Sequence, residues 1–174
     1  EEEMPDLLRQ SLAAEGAAAE FAKAHAARRR IWLVGAGPLE FVAREAALKI
    51  KETSYLQAEG MGIEELLHGP FQCTEEDDLF VPIAPQGNGR ERVLTVVRLA
   101  KEIGAGLLVV SDTPITESAD ALIVPNAPAP FQSLTCLVAL QLFAYHLALK
   151  KGTNPDGFRL EDPRFAKAMK AFTL

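Results

Sequence analysis

Two kinds of apolar run alternate along this chain. Four are short and unbroken: Ile31-Trp32-Leu33-Val34, Leu79-Phe80-Val81-Pro82-Ile83-Ala84, Gly106-Leu107-Leu108-Val109-Val110 and Ala121-Leu122-Ile123-Val124. Without polar alternation they predict strands buried on both faces. Between them the apolar positions step by three and four, the helical period. Leu8, Leu12 and Phe21 predict a helix over about 5–30, with Arg28-Arg29-Arg30 complementing the dipole of its last turn rather than binding an anion. Val42, Ala43, Ala46, Ala47 and Ile50 predict a helix over 39–55 that packs closely on a sheet, and Val93, Val96, Val97 and Ala100 predict one over about 90–103. Residues 63–67 read as one or two helical turns, and a long apolar helix over about 131–151 is stopped by Gly152. Pro82 inside the second apolar run predicts an edge strand or a bend.

Strands alternating with helices predict an α/β fold, a three-layer αβα sandwich around a mainly parallel sheet of four to five strands. The 174 residues form one domain: an N-terminal helix over 1–30, an α/β core over 31–152 and a C-terminal tail over 153–174.

Composition narrows the function classes. Apolar residues make up 48% and aromatic ones only 7%, so the core is built from Ala, Leu, Val and Ile. The net charge of −6, with acid in residues 1–3 and 75–78, argues against nucleic acid as a partner. No run approaches the roughly 18 consecutive apolar residues of a membrane span and no signal peptide is evident, so no membrane role and a cytoplasmic location are expected. Cys73 and Cys136 form no CxxC, and with three scattered histidines they give no metal spacing. Reduced thiols, no metal and no cofactor are the expectation. The chain begins Glu1-Glu2-Glu3 without an initiator methionine, which raises the expectation of a longer natural polypeptide.

Candidate chemistry concentrates between Ala46 and Pro70. Lys49 and Glu52, three apart, leave one helical face, and His68 sits before the helix-breaking Gly69-Pro70. A carboxylate, an ammonium and an imidazole are the parts of a proton-transfer site. Phe41, Leu48 and Tyr55 run beside the charged row of Glu45, Lys49 and Glu52, which points to a cover: a second domain, a partner subunit or a closed pocket. An ordinary exposed ion pair between Glu45 and Lys49 explains the same spacing. Gly35, Ala36 and Gly37, between a strand and a helix start, form a ligand platform at the mouth of a cleft. Glu40 stands where a dinucleotide fingerprint needs its third glycine, so that binding mode is set aside. Ser111 and Thr113 lie beyond the carboxyl end of a strand, where parallel sheets bind ligands, although turn chemistry accounts for them equally. His146 reads as a core histidine with a satisfied hydrogen bond.

These residues carry a resemblance. The strings Gly35-Ala36-Gly37-Pro38, Ala47-Leu48-Lys49-Ile50-Lys51-Glu52-Thr53-Ser54-Tyr55, Ala58-Glu59-Gly60, Glu65-Leu66-Leu67-His68-Gly69-Pro70 and Ala144-Tyr145-His146-Leu147-Ala148-Leu149-Lys150-Lys151-Gly152-Thr153 resemble a sugar isomerase (SIS) domain. More specifically, the chain looks like the second SIS half of the isomerase part of glucosamine-6-phosphate synthase (glutamine–fructose-6-phosphate aminotransferase). The resemblance implies a flavodoxin-like SIS fold and a hexose phosphate as substrate. It implies Glu52 as the base moving a proton between C1 and C2, and Lys49 as the charge steadying an enediolate-like intermediate. It also implies His68 as a ring-opening residue reaching into a partner's site, and Lys167 as a Schiff-base lysine in the Phe165-Ala166-Lys167 tail. A homodimer or a preceding SIS half is the implied partner. Two departures stand out. The loop Ala84-Pro85-Gln86-Gly87-Asn88-Gly89 lacks the family's phosphate-binding hydroxyls, and these 174 residues include no counterpart of the glutaminase domain. A binding or dimerisation module without catalysis is the alternative.

Overall fold

A computed structural model describes residues 3–116 and 120–171. The strands are β1 (Arg30–Gly35), β2 (Gln57–Gly62), β3 (Leu79–Pro82), β4 (Gly106–Leu107), β5 (Val109–Ser111) and β6 (Ala121–Ile123). The helices are α1 (Glu3–Ser11), α2 (Glu15–His25), α3 (Pro38–Ser54), α4 (Ile63–Leu67), α5 (Arg90–Ile103), α6 (Ala129–Lys151) and α7 (Pro163–Met169). All strand pairs are parallel, in the order β2-β1-β3-β4, with β5 and β6 paired beside them. An isolated bridge between Ile83 and Val110 joins the two parts.

Period-two alternation divides the core into two layers. Ile31, Leu33, Leu79, Val81 and Leu108 pack with α2, α3 and α6; Trp32, Val34, Phe80 and Val109 pack with α4 and α5. This is the expected αβα sandwich. The stripes on α3 and α5 are buried as the spacing predicts, and α5 spans residues 90–103. By length and composition α6 could cross a membrane, contrary to the expectation that no segment comes close. Its Cys136, Leu140, Phe143 and Leu147 are instead fully buried in the core.

Four expectations need correction. The single N-terminal helix is broken by a 3-10 turn at Leu12–Ala14 and ends at His25. The arginine triplet therefore does not cap it. Arg28 donates to the Glu76 carbonyl, and Arg30 opens β1 and binds Asp78. Second, β2 was not legible as a strand, because Gln57-Ala58-Glu59-Gly60-Met61-Gly62 has no apolar run. It is an edge strand locked in register from Arg30↔Gln57 to Gly35↔Gly62.

Third, β3 is central rather than at an edge. Leu108 N–H reaches the Phe80 carbonyl and Ala84 N–H the Val110 carbonyl, so the intervening Pro82 is the donor missing from this side of the ladder. The third apolar run breaks at Leu108, between β4 and β5, beside that gap. β3 ends at Pro82, which stays in register with Val34 of β1. Fourth, His146 Nε2 has no hydrogen-bond partner; Glu15 Oε1 lies 3.5 Å away.

Gly60 explains why α3 lies so close to β2. A Cβ there would land on the Ala43 carbonyl of α3, a backbone atom that cannot move aside. Gly60→Ala is expected to cost about 3 kcal/mol through overpacking. Gly16→Ala, with nothing within 4 Å of the added carbon, is the control and should be neutral or mildly stabilising. Urea midpoints compare the two, and equal midpoints would contradict the packing argument.

Candidate active site

Helix α3 fixes the charged pair. Pro38 sits in its first turn behind Gly37, whose φ of 55° suits a glycine, and its buried stripe sets the rotation about the axis. That rotation turns Glu45, Lys49 and Glu52 outward. Lys49 Nζ donates to Glu52 Oε2 at 2.8 Å and lies 3.6 Å from Glu45 Oε1. The side chains of Lys49 and Glu52 are 35% and 34% exposed, so solvent reaches both. The hydrogen bond to Glu52 holds the Lys49 ammonium above its ordinary pKa, with the Coulombic pull of Glu52 and Glu45 adding to it against partial desolvation.

The cover foreseen for this pair comes partly from the chain itself. Beyond α6, the Thr153 hydroxyl donates to the Thr53 carbonyl at 2.6 Å, tying the tail to α3 beside the pair. Pro155, Asp156 and Phe158 then wall a cavity of about 190 Å³ that holds Lys49 and Glu52. A second cavity of about 490 Å³ opens on Glu52 from the other side, between Tyr55, Phe158, Arg159 and the α7 residues Phe165 and Met169. Asp156 and Tyr145 also face Lys49 across a hollow of about 230 Å³. None of these tail and α6 residues was legible as a site residue. The signal that could have found them is the turn-rich Gly152-Thr153-Asn154-Pro155-Asp156-Gly157, which folds the chain back immediately after the helix stop. Phe41 and Leu48, 71% and 42% exposed, stay uncovered.

The other candidates lie elsewhere. His68, at the end of α4, is 80% exposed, with Nε2 3.7 Å from Glu64, and it lines none of the cavities around Glu52. Lys167 is exposed on α7, whereas its neighbours Phe165 and Met169 face the large cavity. Gly35, Ala36 and Gly37 line a hollow of about 310 Å³ at the carboxyl ends of β1 and β2, together with Glu40, Glu64 and Glu65. The Leu39 and Glu40 amides there already bond the Ala36 and Gly37 carbonyls. Arg44 pairs with Glu40 and Glu65, and Arg92 with Glu64. Such an acidic rim does not favour an anion at this turn.

Ser111 and Thr113 are held by Arg90, which donates to each hydroxyl at 3.0 Å and to the Ala84 carbonyl. Asp112 completes that cluster, accepting from Gln86 N–H at 2.9 Å while its buried Oδ2 has no hydrogen-bond partner. Of the two cysteines, Cys136 is buried and its thiol is pushed up to about 12, chiefly by desolvation. Of the four candidate catalytic residues, all among the described residues, Lys49 and Glu52 are brought together, while His68 and Lys167 lie apart from them.

A parallel β2-β1-β3 core with a carboxylate–ammonium pair on the first crossover helix invites comparison with known folds. The family model described as the SIS domain matches residues 25–151. The chain belongs to the SIS domain family. Among curated relatives, this SIS domain is 37% identical over 155 residues to glutamine–fructose-6-phosphate aminotransferase (isomerizing) from Pyrococcus horikoshii, and 34% identical to that of Thermococcus kodakarensis. Each alignment covers 88% of this chain but 26% of the relative, so the chain spans about a quarter of their length.

Among solved structures, the C-terminal domain of glucosamine-fructose-6-phosphate aminotransferase from Francisella tularensis superimposes with a TM-score of 0.81 at 23% identity. The match covers 90% of this chain and 45% of that one. Tagatose-6-phosphate ketose/aldose isomerase from Escherichia coli gives 0.73 at 22% identity, over 87% and 44% of the two chains. At these identities the two structures speak for the fold alone.

Proposed function

We propose that this SIS domain contributes the proton-transfer half of a site that interconverts aldose and ketose forms of a hexose phosphate, such as fructose 6-phosphate or glucosamine 6-phosphate. The observation carrying the reading is the 2.8 Å Lys49–Glu52 pair, partly exposed at the junction of two cavities. Glu52 takes the proton from C1 of the open-chain ketose and returns it to C2, giving the aldose. The adjacent Lys49 ammonium steadies the negative charge on the enediolate-like intermediate. His68 and Lys167 would both be supplied by a partner subunit. A preceding SIS half or a second copy of the chain would hold the phosphate and cover Phe41 and Leu48.

A second reading, a phosphosugar-binding module without turnover, is favoured by the positions of His68 and Lys167, which line none of the cavities around Glu52. One experiment separates the two. The intact natural polypeptide is incubated with fructose 6-phosphate in deuterated water, and the recovered sugar is examined by NMR. Deuterium at C1 of the ketose and C2 of the aldose, with none in unphosphorylated fructose, is expected. Calorimetric binding without any label would leave the binding module as the function.

A further inference from the structure

Arg159 lies where the tail meets the end of α3, and it is used in an unusual way for a surface arginine. Its guanidinium carbon is 4.0 Å from the ring centroid of Phe165 and 4.9 Å from that of Tyr55. One ring belongs to α7 and the other caps α3, so the guanidinium joins the two elements. Its closest approach to a carboxylate is 3.9 Å to Asp162, which is itself engaged by Arg164 at 2.7 Å. The cation is thus directed at aromatic faces, which suit a planar, weakly hydrated guanidinium.

The backbone points the same way. Tyr55 and Arg159 both sit in the left-handed region, with φ of 56° and 57°. Residues with side chains persist there only when their surroundings determine the conformation. The Tyr55 hydroxyl adds a 2.9 Å hydrogen bond to Glu161. Helix α7 has seven residues and none of them is buried. So short a helix does not hold its place by itself, and its position depends on what grips it.

We propose that Arg159 is a positioning residue for the site. By stacking between Tyr55 and Phe165, it holds α7 as a wall of the large cavity beside Glu52. This rests on the reading of Glu52 as the base. Arg159 acts through the two rings and does not touch the reacting carbons. Loss of the grip removes this wall and with it the register between α7 and the sugar.

The test uses the intact natural polypeptide with Arg159→Ala, Phe165→Leu, the double variant and the ring-preserving Phe165→Tyr. Hydrogen exchange of the α7 amides should quicken about tenfold in each of the first two, as expected for losing stacked cation contacts. The double variant should be no faster than either single one, and Phe165→Tyr should keep the native rate. In isomerisation of fructose 6-phosphate, kcat should fall about tenfold in Arg159→Ala with KM changed less than twofold and the thermal midpoint unmoved.

Native exchange in Arg159→Ala would overturn the grip. Quickened exchange with an unchanged kcat would make the grip merely structural and overturn the positioning role. Glu52→Gln distinguishes this from failure of the parent reading. Lost turnover with native α7 exchange in that variant supports the base and leaves Arg159 to be judged on its own arms. Native turnover there overturns both.

Discussion

In the intact natural polypeptide, Glu52→Gln is expected to cut deuterium incorporation into fructose 6-phosphate by a factor of about 10² to 10⁴, the range that a positioned general base contributes. The substitution is nearly isosteric and removes only the ability to accept a proton. Its structural cost should be small. The Glu52 side chain is 34% exposed, and among the described residues it is hydrogen-bonded by Lys49 alone. Pairs as exposed as this contribute about 0–1 kcal/mol to stability. The thermal midpoint and circular dichroism should therefore match those of the native protein, while sugar affinity by calorimetry stays within a few-fold. Native label incorporation by Glu52→Gln would remove the base from the proposal. Loss of label together with loss of binding would show that the carboxylate holds the sugar rather than working on it.

The pair was legible because helical spacing is rigid: three residues place two side chains on one face wherever the helix goes. The core was legible for a related reason. Long stripes such as Val93, Val96, Val97 and Ala100 have one way to be buried, and all four are. What escaped the sequence depends on partners distant along the chain. Strand β2 owes its place to hydrogen bonding with β1 and to Gly60 beneath the Ala43 carbonyl, not to its own polar residues. Pro82 looked like an edge residue because its missing donor is obvious locally, whereas the neighbour that accommodates it, Leu108, is 26 positions away.

The site divides in the same manner. The tail walls Glu52 through Thr153, Arg159 and Phe165, contacts that no periodicity announces. The roles of His68 and Lys167 came from resemblance, and within this chain neither lines the cavities that hold Glu52. Family likeness encodes the geometry of an assembled enzyme, whereas spacing encodes one helix. The two agree at Lys49 and Glu52, and the mutational tests start there for that reason.

The largest effect on stability is expected from Asp78→Asn, at the start of β3. Asp78 is fully buried. It accepts from Arg30 Nε at 3.1 Å, Arg30 Nη2 at 2.9 Å, Trp32 Nε1 at 2.9 Å and the Glu75 amide at 3.1 Å. The carboxylate therefore fastens the start of β3 to the start of β1, and four donors need both of its oxygens. An asparagine amide turns an NH₂ group towards at least one of those donors and leaves the Arg30 charge unmatched. Breaking a buried pair in this way costs about 3–5 kcal/mol, a large part of the 5–15 kcal/mol that holds a typical domain folded.

Acidity gives an independent check on the cause. Burial pushes the Asp78 carboxyl up, but hydrogen bonds from Arg30, Trp32 and the Glu75 amide outweigh it, and the net shift is downward. A carboxyl depressed in the fold stabilises the protein fully above its unfolded value of about 3.9, and that stability drains away as pH falls through the folded value. Urea unfolding at about pH 7 should thus show the full gap between native protein and Asp78→Asn, and the gap should narrow below about pH 4. A gap under about 1 kcal/mol at neutral pH, or one that stays constant into acid, would mean that packing rather than the charged network holds the two strands together.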